Sequence, residues 1–188
     1  MTFKEGIKQV ERINEQLIDA DRLMSETVIN AFMFTWQWWF GIGLFIIPWF
    51  IWVLFRNRQS TGRLLMGGFI TIILSLMIDL IALSSGLWSY PMIFSPIGPL
   101  LFLPYHFSLA PVAIMFTLQI KPKANPLLKG AIFSALGAFI GMNFFEMIDF
   151  YNPKGWSTIY DFFIYLFLFL IAYWSSSMDG FKKISDGY

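Results

Sequence analysis

The chain has 188 residues, of which 57% are hydrophobic, 20% aromatic and only 13% charged. An ordinary soluble domain carries about a quarter charged residues, so this chain cannot cover a water-facing surface and its solvent must be lipid. A net charge of +1 excludes a phosphate-neutralising surface for nucleic acid, and the absence of cysteine excludes disulfides, thiolate zinc sites and a cysteine nucleophile.

The chain opens with a charged stretch, Met1 to Ser25, that has no apolar h-region. No cleavable signal peptide is therefore expected, and the first span must direct insertion. Residues 2–26 read as an amphipathic helix, because Phe3, Ile7, Val10, Ile13, Leu17, Ala20 and Met24 recur at helical spacing. Thr2 and Glu5 have the spacing of a capping box. The apolar stripe is expected to lie on the protein or the bilayer surface. Its spacing also suits pairing with a copy of itself or recruitment of a protein partner.

Five apolar runs come next, at about 36–55, 64–86, 99–119, 130–150 and 157–176. Each exceeds the roughly 18 residues that mark a spanning helix. The first contains Pro48, and the third opens at Pro99 and contains Pro104 and Pro111. In a bundle, neighbouring helices can satisfy the carbonyls that interior prolines free. The predicted fold is thus an all-α polytopic membrane bundle of five transmembrane helices plus the N-terminal amphipathic helix. It divides into residues 1–35 as helix and lead-in, 36–176 as the five-helix domain, and 177–188 as a cytoplasmic tail.

Basic residues set the orientation. Arg56, Arg58 and Arg63 come after the first run, Lys121, Lys123 and Lys129 after the third, and Lys182 and Lys183 lie in the tail. The alternate loops hold only Lys154. These facts place the N-terminus outside and the C-terminus in the cytoplasm of a cell-membrane protein. On the fourth run, Gly137 and Gly141 form G-x-x-x-G, and Gly130, Ser134 and Ala138 continue a small-residue face, expected to pack helices within one subunit.

Ionisable groups inside spans are expensive and usually face a bundle interior or cavity. Asp79 lies on the second run, His106 on the third, Glu146 and Asp149 on the fourth, and Asp161 on the fifth. At 1.5 Å per residue, Asp79 and His106 each sit ~10 Å below the outer boundary, and Glu146 and Asp161 ~6 Å below it. The inner half of the runs lacks ionisable side chains apart from a tyrosine. A pump needs polar groups across the whole thickness, so an outward-facing pocket ranks above a transporter or an oligomeric channel.

Asp79, Glu146 and His106 are the candidate catalytic groups. His106 can act as acid or base near neutral pH with a carboxylate orienting its ring. Glu146 and Asp149, three apart, share a helix face, where mutual repulsion would keep one protonated. Asp149 and Asp161, close to the boundary, complete the candidate ligand-contacting set, with bonding to other helices and interfacial water as the simpler account of both. The loop Gly86-Leu87-Trp88-Ser89-Tyr90-Pro91 to Pro96-Ile97-Gly98 supplies Trp88 and Tyr90, which with Tyr105 would line the entrance. Anchoring at the headgroup level is the simpler role of Trp88 and Tyr90. One imidazole and scattered acids form no metal-ligand motif, and no cofactor is expected.

Asp79 with Gly86 to Pro91, then Leu103-Pro104-Tyr105-His106-Phe107-Ser108-Leu109-Ala110-Pro111, resembles a family of small uncharacterised multi-pass membrane proteins of endospore-forming bacteria. Phe145-Glu146, Tyr151, Trp156 and Tyr160 extend the resemblance, which covers roughly residues 65–175. In that family an acid usually stands at the position of His106, and the resemblance implies the fold and no activity. A fainter likeness is to the small membrane lycopene-cyclase domains, which pair an intramembrane Asp with Gly-x-Trp-x-Tyr. Asp79 and Gly86 to Tyr90 match that pattern, whereas Tyr105 and His106 occupy the places of the paired acids on the next span. This likeness implies a lipid-like ligand beside a few acids.

The expected function is therefore an acidic pocket that binds or modifies an isoprenoid or lipid. The alternatives are a non-enzymatic scaffold or envelope component that recruits a partner through its N-terminal helix, and an oligomeric channel or transporter.

Overall fold

Helix α1, Phe3–Thr27, starts at a complete capping box. The Glu5 N–H donates to the Thr2 hydroxyl at 3.3 Å, and the Thr2 N–H donates to the Glu5 carboxylate at 2.7 Å. Each end thus satisfies a backbone donor that a free helix terminus leaves unpaired. No residue of α1 is buried, and Phe3, Val10 and Leu17 are exposed along its apolar stripe. Its far end is tied to the bundle where the Ser25 hydroxyl donates to the Pro96 carbonyl at 2.6 Å.

The computed structural model describes residues 1–96 and 101–178, so Pro99, Ile97, Gly98, Lys182 and Lys183 lie outside the described residues. Among the described residues every named element is helical. After a π-helical turn, Val28–Phe32, and Phe34 in the left-handed region, α2 runs Trp36–Phe55. The Thr35 hydroxyl caps it by accepting from the Trp38 N–H at 3.3 Å. Helix α3 runs Thr61–Ser84, α4 Ala110–Gln119, α5 Pro126–Leu136, α6 Asn143–Met147 and α7 Thr158–Ser176. Two π-helical segments interrupt this series, Tyr105–Leu109 leading into α4 and Gly137–Met142 joining α5 to α6.

Among the described residues four helical stretches are long and apolar enough to cross a membrane: Trp36–Phe55, Arg58–Ser84, Pro126–Met147 and Thr158–Ser176. The third apolar run is helical from Leu103 to Gln119 and is not among those four. It occupies the middle of the bundle, with Ile114 and Met115 fully buried. Pro111 has no N–H to offer the Phe107 carbonyl four residues earlier. The Trp49 indole of α2 donates to that oxygen instead, at 2.8 Å. A neighbouring helix thereby does what a soluble helix would leave undone.

Helix α7 packs against α3 and α5, α3 packs against α4, and α2 lies on the π turn before α4. Gly130, Ser134 and Ala138 are buried, and the close approach they permit is to α7. A Cβ added at Gly130 would stand 2.7 Å from a Phe169 ring carbon, and one at Gly137 would stand 2.9 Å from Tyr165. Gly141 has open space beside it. The small-residue face therefore serves packing within one chain, as its spacing predicts.

The core has two layers. One, around Met115, Leu118, Leu168, Phe169 and Ala172, fills the end near the basic loops. The other, around Trp88, Phe94, Phe102, Phe145 and Phe150, fills the end near the 85–96 and 148–157 loops. These two loops are clipped together by an isolated antiparallel bridge in which Ser89 and Asn152 exchange backbone hydrogen bonds of 3.0 and 2.9 Å.

Candidate functional site

Helix α3 puts Ser75 and Asp79 one turn apart on the same face, and both are buried. The π turn of the next helix brings His106 opposite them, 2% exposed. The His106 Nε2 lies 3.1 Å from Asp79 Oδ2, and its Nδ1 lies 3.1 Å from the Ser75 hydroxyl. The other carboxylate oxygen of Asp79 accepts the Trp88 indole N–H at 2.8 Å and the Tyr90 hydroxyl at 2.5 Å. An indole N–H is a donor only, so Oδ1 is fixed as an acceptor. Any proton that Asp79 shares is therefore held on the Oδ2 side, against the imidazole.

Burial first, and then the charge of Asp79, push the Tyr90 hydroxyl well above the ordinary tyrosine pKa. Tyr90 thus remains protonated and acts as a donor. The chain reaches this arrangement through Gly86, whose φ of 68° turns the end of α3 back over the bundle. Trp88 and Tyr90 then face Asp79 from the loop.

Asp79 is one wall of a cavity that leaves about 40 Å³ open to the centres of water molecules. At roughly 10–15 Å³ per water on that measure, it has room for about three. Asp161 lies on the same cavity and accepts the Trp156 indole N–H at 3.1 Å. Tyr105, Tyr151 and Tyr165 complete its polar lining. Tyr151 is 4% exposed, and its hydroxyl has no hydrogen-bond partner. Burial, then the nearby Asp161 and Glu146 carboxylates, raises its pKa.

An apolar groove of about 90 Å³ adjoins this cavity. Tyr105, Met142, Phe145 and Tyr165 belong to the walls of both. The groove runs between the two π-helical segments, with Tyr105 and Leu109 on one side and Gly137, Gly141 and Met142 on the other. A π turn widens the helix and is frequent at functional sites; here two of them bound a single channel.

The structure thus brings Asp79, His106, Trp88, Tyr90, Tyr105 and Asp161 to one cavity. Glu146 and Asp149 are exposed and do not line it. The pairing of Glu146 and Asp149 on one helix face is not seen either. Helix α6 ends at Met147, and Asp149 adopts a φ of 61° beyond it. The π segment Gly137–Met142 explains the displacement of Glu146. An extra residue in a helix turns the residues after it by about 100°, and Phe145 takes the buried position.

Sequence reasoning did not single out Ser75, Tyr165 or the Trp156–Asp161 pair. Ser75 was findable as the polar residue one turn before Asp79, whereas the Trp156 contact depends on how the 148–157 loop folds. Among the described residues no group of three His, Asp or Glu side chains gathers to hold a metal. Comparison with family models, curated proteins and solved structures yields no match, so function must be argued from the site.

Proposed function

We propose that this chain is a five-span membrane protein, N-terminus outside and C-terminus cytoplasmic, that binds or modifies a lipid-like molecule such as an isoprenoid. In this reading the helix ending at Gln119 is the fifth span. The polar end of the ligand sits in the Asp79–His106–Asp161 cavity and its apolar chain lies in the groove. The supporting observation is the shared wall: four side chains separate a polar cavity from a wholly apolar groove. Ligand sites commonly combine a largely apolar lining with a few placed polar groups.

The volume limits the head. Space for about three waters admits a hydroxyl, carbonyl or amino group and its carbon, and excludes a diphosphate. The chemistry available there is acid–base. His106 is oriented by Asp79, which is itself saturated by Trp88 and Tyr90. Asp161, with a single hydrogen bond, is the carboxylate with capacity left for a ligand.

Native mass spectrometry of protein released gently from its own membranes tests this. Wild type is expected to carry a stoichiometric, non-bulk lipid that Gly141→Leu loses, because Gly141 lines the groove and a Cβ added there meets only the Leu136 carbonyl, at 3.8 Å. Bulk lipid alone, identical in both proteins, would sink the proposal.

Helix α1 favours a second reading, a scaffold or envelope component. Its apolar stripe stands exposed from Phe3 to Leu17, as a surface for a partner protein or the bilayer would. Deleting residues 2–26 would then remove the phenotype while leaving lipid content unchanged.

A further inference from the structure

We infer that the head taken by this cavity is a protonated amine, which makes the ligand a long-chain ammonium rather than an alcohol, a carboxylate or a phosphate. This rests on the reading above, since it names the head of a chain held in the groove.

Charge and unused bonding capacity decide between the heads. Among the described residues the cavity lining contains two aspartates and no lysine or arginine. His106 is committed to Asp79 and Ser75. An anionic head would meet two carboxyl groups in a space of low dielectric, where repulsion is strongest. Asp79 already has three partners, whereas Asp161 has only the Trp156 indole. A carboxyl that deep stays ionised only beside a counter-charge, and among the described residues no side chain of the cavity lining supplies one to Asp161.

Tyr151 supplies the independent observation. Its hydroxyl is buried without a partner among the described residues, and the side chain lines the cavity. A native structure rarely leaves a buried hydroxyl unpaired. An ammonium donates to the Tyr151 oxygen and to Asp161 together.

The test uses the full chain in lipid nanodiscs with dodecylamine, dodecanol and dodecanoic acid as probes of one chain length. Dodecylamine is expected to bind saturably, about tenfold or more tighter than the other two, from one charge-assisted bond. That margin should vanish in Asp161→Asn and in Tyr151→Phe. Both variants keep the fold, because asparagine retains an oxygen for Trp156 and phenylalanine removes a hydroxyl that no protein group uses. Equal binding of amine and alcohol, unchanged by both substitutions and abolished by Gly141→Leu, would overturn the ammonium head while leaving the groove in place. Absence of saturable binding by all three probes would overturn both.

Discussion

Trp88 and Trp156 meet edge to face with ring centroids 5.2 Å apart, and each donates its indole N–H to a different cavity aspartate. The two loops that carry them are joined by the Ser89–Asn152 bridge. One aromatic contact therefore couples the positions of the two acids, although they lie on different helices.

This coupling should be measurable. Trp88→Phe and Trp156→Phe each remove a hydrogen bond to a carboxyl group, at about 1–3 kcal/mol apiece. Because the rings touch, the double variant is expected to lose less than the sum, by about 0.5–1.5 kcal/mol. Reversible unfolding in mixed micelles checks this, and strict additivity would show that the two indoles act separately.

Asp79→Asn is expected to be mild and Asp79→Leu severe. Asparagine still accepts from Trp88 and Tyr90 through its oxygen, and its amide N–H can donate to His106 Nε2. Leucine leaves two buried donors and one ring nitrogen without a partner, at about 3–5 kcal/mol in total. Stability in the same micelle assay should rank wild type, asparagine, then leucine. An asparagine variant as unstable as the leucine one would indicate a buried imidazolium left without its counter-ion.

The two glycines of G-x-x-x-G should behave differently. Gly137→Ala places a Cβ 2.9 Å from the Tyr165 ring and is expected to cost about 1–3 kcal/mol through overpacking. At Gly141 a Cβ finds only the Leu136 carbonyl, at 3.8 Å, so alanine there fits the space and should raise stability by a few tenths of a kcal/mol. A melting series of the two variants distinguishes them. Equal losses would mean that both glycines face another subunit.

Tyr151→Phe is expected to leave the unliganded protein as stable as wild type, or more so by up to about 1 kcal/mol, since its hydroxyl is buried and unpaired. A loss above that range would reveal a bond from the hydroxyl to something held within the cavity during purification.

Much of this architecture is readable in the sequence. The run at 36–55 becomes α2 with the same limits, and the run at 157–176 becomes Thr158–Ser176, because predominantly apolar stretches of spanning length leave little choice. The meeting of Asp79 and His106 is legible from their equal depth in antiparallel helices. Glu146 is not, because a π insertion has no signature in hydrophobic spacing, and it rotates the acid outward. Asp161 departs from expectation for the opposite reason. Counting residues from the helix start puts it near the boundary, but the 148–157 loop folds over that boundary, buries the side chain to 6% exposure and supplies Trp156.

The Ser89–Asn152 clip joins the loops that carry Trp88, Tyr90 and Tyr151, three residues of the cavity lining, with main-chain bonds that do not depend on side-chain identity. In the proposed five-span reading, the way in is the apolar groove beside the cavity, at the level of the bilayer. A molecule reaching this site would therefore arrive by dissolving in the bilayer first. Its occupancy would track its mole fraction in the membrane rather than its molarity in the buffer. Diluting a sample with empty vesicles would then unload the protein even at constant total ligand.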